Sequence, residues 1–172
     1  MILWTIQTKQ AWKVAQKRGY LVGDVAYVWE DFISPYLWMM DQMKKRINSD
    51  TVEYPVWLWV KRPDLRCSGH LERGTQGILL EVELNPEKIL ISDFDAWHIV
   101  LLDAFLALDE EEDRLYEQSL VSMTKEQSWE RIFDYQSLKQ HEYWNTTEPH
   151  LQAVTGKIEL AQIKSSKEFL AR

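Results

Sequence analysis

Cysteine is almost missing from this chain: Cys67 is the single one in 172 residues. No disulfide can form within the chain, and a reducing cytoplasm is the expected setting. Long hydrophobic runs are missing too. No stretch approaches the roughly 20 apolar residues of a membrane helix, and the N-terminus lacks a charged-then-apolar leader, so no membrane partner is expected. The glycine signatures of nucleotide and hydrolase chemistry are absent: there is no GxxxxGK(S/T), no GxGxxG and no GxSxG. Four histidines, His70, His98, His141 and His150, show no paired spacing such as HExxH. Cys67 and His70 make half of a four-ligand zinc set with no second pair at suitable spacing, so no metal is expected.

The hydrophobic fraction of 45% and charged fraction of 27% are those of a soluble globule. The length suits one domain over residues 1–172, large enough to bury roughly two thirds of its unfolded surface. Nine tryptophans imply a core rich in large rings, some of which could line a pocket for a flat ligand. The net charge of -7 is unevenly spread. Residues 1–76 carry 11 Lys/Arg against 8 Asp/Glu, and residues 77–172 carry 9 against 19. An acidic second half argues against duplex nucleic acid as a partner for the molecule as a whole.

Local patterning predicts an α+β chain. Residues 2–7 alternate as a strand, Thr8 is positioned to cap a helix over 9–18, and Gly19 stops it. Residues 20–33 read as irregular and aromatic. Ser34-Pro35 reads as a helix start, and Tyr36, Met39, Met40, Met43 and Ile47 form a core stripe down a helix ending near Asn48. PVWLWV (55–60) reads as a strand, and 61–76 as a long polar connection. GILLEVEL (77–84) is a strand by its period of two, and an apolar run resumes at 88–91. Ser92 and Asp95 stand at capping-box spacing, and Trp97, Val100, Leu101, Ala104, Phe105 and Leu108 form a helical stripe after them. The run Asp109 to Asp113 reads as a solvated face. Thr124 and Gln127 open another helix, through Asp134, and 135–149 reads as a loop with helical turns. Residues 151–155 read as a strand; beyond Gly156 strand and helix stay open.

The start ILWTIQTKQAWKVAQKRGY, with YLWMM, PVWLWV, ILISDFDAWH and SWERIFD further on, resembles an uncharacterised bacterial domain-of-unknown-function family over nearly the whole chain. More distantly, a strand, a Thr, a helix with Trp and then Gly-Tyr resemble the opening of ADP-ribosyltransferase-like domains. That resemblance implies a single domain with a split, mostly antiparallel sheet flanked by helices. It also implies a cleft between the first strand and a late strand for a nucleotide-like ligand such as NAD. Thr5 falls where such enzymes place a first-strand His, and Gln152, within HLQAVTGKIELAQI, falls where they place the catalytic Glu. Tyr20, Tyr36 and Trp38 would supply stacking surfaces. The 61–76 connection is expected to be mobile and on the surface, and only if it folds over the cleft could Arg62, Arg66 or Arg73 meet phosphates. A threonine offers no imidazole and a glutamine no carboxylate, so a degenerate transferase that binds but reacts slowly or not at all is the expectation. Two rivals stand beside it. One is a protein-interaction module using an aromatic surface; the other is a single-strand nucleic-acid binder using Lys44, Lys45, Arg46, Lys61 and Arg62.

Overall fold

A computed structural model describes residues 1–47, 54–146 and 148–172. The chain runs β1 (Ile2–Thr8), α1 (Lys9–Arg18), β2 (Tyr20–Leu21), α2 (Ile33–Ile47), β3 (Val56–Trp59), β4 (Gln76–Glu83) and β5 (Leu90–Asp93). It continues through α3 (Phe94–Leu101), α4 (Glu110–Glu117), α5 (Lys125–Trp129), α6 (Tyr135–Leu138), β6 (Leu151–Thr155), β7 (Ile158–Glu159) and β8 (Ile163–Leu170). Short 3-10 turns occupy several of the links. The architecture is α+β, with a mostly antiparallel sheet and flanking helices. One sheet has the order β5-β6-β3-β1-β4-β8, and β2 pairs with β7 separately. No helix among the described residues is long and apolar enough to cross a membrane.

The chain divides into two compact units, one of Met1–Val28, Tyr36–Leu90 and Ala153–Arg172, the other of Trp29–Pro35 and Ile91–Gln152. In the first, β1 lies between β3 and β4, antiparallel to both, with Leu3 opposite Val82 and Thr5 opposite Leu80. All four are sealed, so this face of the ladder is core. Trp4 and Ile6, on the other face, are only partly covered. Met39, Met40 and Met43 of α2 are buried, as their stripe predicts. The helix end expected near Asn48 lies outside the described residues. The helix begins at Ile33, so Ser34 and Pro35 sit within its first turn and Ser34 is not the residue that precedes it. A 3-10 turn over Glu30–Phe32 runs straight into Ile33 and replaces the expected cap.

The second unit corrects the reading of the strand-to-helix stretch. Ser92 is buried in β5, and the residue that caps α3 is Asp93, whose carboxylate accepts from the Ala96 N–H at 2.9 Å. The helix stops at Leu101, and Asp103 takes a left-handed φ of 55°. Ala104, Phe105 and Leu108 therefore follow the helix instead of continuing its stripe. Phe105 is buried all the same, stacked on Tyr116 at 3.9 Å. A 3.6-residue period continued past a break because an irregular segment buried in the same core also needs apolar residues. The acidic run forms the start of α4, capped by Asp109, where carboxylates match the positive end of the helix dipole. Thr124 and Gln127 make the expected capping box, although α5 lasts only to Trp129 before tightening into a 3-10 turn.

The open C-terminal stretch resolves into β7 and then β8, which pairs antiparallel with β4 along Gln76–Val82. Its side chains are mostly exposed, so no alternating apolar pattern marks it as a strand.

Candidate functional site

The most developed cavity lies within the first unit, about 350 Å³ and mostly apolar. Its construction follows from the end of β1. Thr8 accepts a hydrogen bond from the Ala11 N–H at 3.0 Å and starts α1 directly off the strand. Ala11, Val14 and Arg18, spaced at three and four, present one face of α1 to the cavity. Gly19, with φ of 92°, ends the helix and turns the chain towards β2, after which Leu21 to Asp24 form a second wall.

The opposite wall is aromatic. Tyr36 from α2 meets Trp57 edge-on at 5.6 Å and Tyr54 at 6.0 Å, and all three line the cavity. The two walls are joined by backbone. The Gly23 N–H donates to the Tyr54 carbonyl at 3.0 Å. A Cβ on Gly23 would stand 2.5 Å from the Pro55 carbonyl oxygen and 2.7 Å from that of Tyr54. Both are backbone atoms that cannot swing aside. Gly23→Ala should therefore push the walls apart, costing about 1–3 kcal/mol in a urea unfolding curve. An unchanged midpoint would show that the contact is slack.

Four polar side chains lining the cavity can contact a ligand. Gln7 donates its amide to the Thr5 hydroxyl at 2.8 Å and keeps its carbonyl oxygen as an acceptor. Asp24 and Arg18 are exposed. The Asp24 carboxylate accepts from the Ala26 N–H at 3.0 Å and has lone pairs to spare. Burial raises the Tyr36 phenol above its ordinary value, opposed by a hydrogen bond with Trp57. Tyr36 is thus a neutral hydroxyl at physiological pH. The arrangement offers ring surface within and one charge of each sign in solvent.

Of the six candidate site residues, Tyr36 lines this cavity. Thr5 is 1% exposed and holds the Gln7 amide, so it belongs to the core of the β1 ladder. Gln152 is 5% exposed, with its amide nitrogen 3.4 Å from the Ser92 hydroxyl. Strand β6 has β3 and β5 as neighbours, so the expected pairing of the Gln152 strand beside β1 does not occur. Two cations contact the Tyr20 ring, Arg18 at 4.6 Å and Lys157 at 5.0 Å from its centre. Trp38 sits half-buried on α2, and Arg62 is exposed on the connection after β3. That connection has no helix or strand, but it is tied down. Arg66 makes a forked pair with Asp64, which holds that carboxyl well below the usual carboxylate range. Gly74 donates to Ala171 and Ala171 to Thr75. Leu71 from the same connection reaches the cavity, whereas Arg62, Arg66 and Arg73 do not line it.

The basic cluster expected for single strands is partly engaged elsewhere, Lys45 with Asp41 and Arg46 with Gln42. Residues that sequence reasoning missed are Gln7, Arg18, Gly23, Asp24, Tyr54 and Trp57. PVWLWV signalled a strand, but nothing in the linear pattern joined it to Gly23. Among the described residues, no three His, Cys, Asp or Glu side chains are grouped to hold a metal ion.

No curated protein and no solved structure matches the chain. A family model described as Domain of unknown function (DUF3841) matches residues 2–127, which takes in LWTIQ, YLWMM, PVWLWV and SDFDAWH and stops just before SWERIFD. The match spans most of the chain, and the protein belongs to the DUF3841 family.

Proposed function

We propose that the cavity of the first unit binds a nucleotide-like ligand, with NAD as the first candidate, and that it does so without ribosyl transfer. The observation that carries this reading is an aromatic wall of Tyr36, Tyr54 and Trp57 facing a small apolar space with Gln7, Asp24 and Arg18 in its lining. A base offers a flat π-face to such rings and ring nitrogens to an amide, a ribose offers hydroxyls to a carboxylate, and a phosphate pairs with a guanidinium. The distant resemblance of the β1–α1 opening to ADP-ribosyltransferase-like domains points to the same ligand class. Transfer is left out because Thr5 and Gln152 are sealed and carry neither an imidazole nor a carboxylate. A free, exposed Cys67 suits a reducing cytoplasm as the setting.

Calorimetry with NAD tests the reading. Tyr36→Ala should weaken binding about tenfold or more, equivalent to roughly 1.4 kcal/mol, by removing the central ring of the wall. Gln152→Ala should leave affinity unchanged. Loss on Gln152→Ala with Tyr36→Ala silent would move the site to the late strand that the resemblance indicated. No heat at millimolar NAD would end the nucleotide reading and favour a protein-interaction module. Tyr27 and Trp29 support that second reading, since rings 70% and 74% exposed are available to a partner.

A further inference from the structure

The cations around Tyr20 extend the nucleotide reading, on which this inference rests. A space of about 350 Å³ is at the small end of ligand pockets, enough for one nucleoside and too little for a dinucleotide. Anything beyond the first ribose must then lie outside the cavity. Arg18 is the lining residue that also leads away from it. Its guanidinium carbon is 4.6 Å from the centre of the Tyr20 ring, and its Nε–H donates to the Tyr20 carbonyl at 3.4 Å. Lys157, from the turn between β6 and β7, places its Nζ 5.0 Å from the same centre. The two positive groups are therefore within about 10 Å of one another, held by the one ring that both contact. The pairing of β2 with β7, Tyr20 opposite Glu159, fixes that turn beside the end of α1.

From this geometry we infer that the ligand carries a diphosphate, gripped between Arg18 and Lys157 outside the cavity while its nucleoside lies within. Two cations no more than about 10 Å apart can share a pyrophosphate group, whereas a single phosphate would satisfy only one of them. Glu159 pairs with Lys157 at 2.7 Å. Both side chains of that pair are about half exposed, so the bond is weak and a phosphate can displace the carboxylate. Tyr20, expected to stack a base, serves instead to hold two phosphate-binding cations in place.

The test uses adenosine, AMP, ADP and inorganic pyrophosphate, titrated calorimetrically into the full chain. ADP should bind at least tenfold more tightly than adenosine, with AMP between. That gain should fade as salt is raised, and adenosine affinity should not. Lys157→Gln should erase most of the difference between ADP and AMP. Lys157 is an exposed turn residue, so this change leaves the core intact. Adenosine binding with no gain from added phosphates would overturn the diphosphate site and leave the cavity reading standing. A gain untouched by Lys157→Gln would likewise overturn it. Pyrophosphate binding without adenosine binding would remove the cavity reading but retain the cation pair as an anion site. Silence from all four ligands would remove both.

Discussion

Trp129→Ala should lower the free energy of unfolding by about 3–5 kcal/mol, the cost of emptying a large ring from a closed core. Trp129 is 2% exposed, and its indole N–H donates to the Ala104 carbonyl at 2.7 Å. Its neighbour Ser128 accepts from the Leu106 N–H at 2.9 Å and donates to Lys125. The pair thus holds the irregular segment after α3 at two points, Ala104 and Leu106. That segment cannot satisfy its own backbone groups, and a buried carbonyl left without a donor costs about 1–3 kcal/mol. Trp129→Phe separates the contributions. It keeps most of the packing and removes the indole donor, so its loss should be about 1–3 kcal/mol by the same reasoning. Urea denaturation reads both. An alanine variant within about 1 kcal/mol of wild type would show that the ring is not integral to this unit.

Arg131→Ala is expected to cost about 2–4 kcal/mol, close to the range for breaking a buried charge pair and discounted for its partial exposure. Arg131 makes two bonds to the Glu112 carboxylate, at 2.6 and 2.7 Å, and a third to the Leu106 carbonyl at 2.6 Å. Glu112 in turn accepts from the Leu108 N–H at 2.8 Å. Burial pushes the Glu112 carboxyl up, but the bonds from Arg131 and Leu108 outweigh it, and the group rests below its ordinary value. Its folded value is thus lower than its unfolded one. The stabilisation is complete above the unfolded value, about 4.3, and disappears as pH falls through the folded one. The deficit of Arg131→Ala should therefore be full at neutral pH and shrink in acid below about pH 4. A deficit independent of pH would assign the loss to the Leu106 contact and the stem packing instead.

Regular elements were legible where local chemistry is self-contained. Thr8 and Gly19 bracket α1, and Thr124 with Gln127 opens α5, because each cap needs only residues within one turn. The first cap of α3 went to Asp93 over Ser92 for a tertiary reason. Ser92 is drawn into β5 beside Gln152, and the next oxygen along the chain takes the helix start. Strand β8 was unreadable since an edge strand with both faces wet carries little hydrophobic period. The cavity was least legible of all. Arg18, Gly23, Tyr36 and Trp57 come from four separate stretches, each of which reads alone as a helix end, a loop, a core stripe or a strand. Thr5 and Gln152 entered through resemblance, and their burial gives both of them structural partners.

The ladder between β1 and β4 sets an order of assembly. Ile2 pairs with Glu83 and Thr8 with Gly77, so the two strands of this ladder are far apart along the chain. On a ribosome, β1 emerges well before either neighbour: β3 follows at Val56–Trp59, and β4 is complete only at Glu83. Strand β8, which closes the far edge of β4, follows every other strand described. Contacts of such long sequence separation carry a loop-closure cost before they return any energy. A slow search followed by a late, cooperative lock is the folding behaviour this topology imposes, and until β8 arrives the apolar strand Gly77–Val82 stays open along one side.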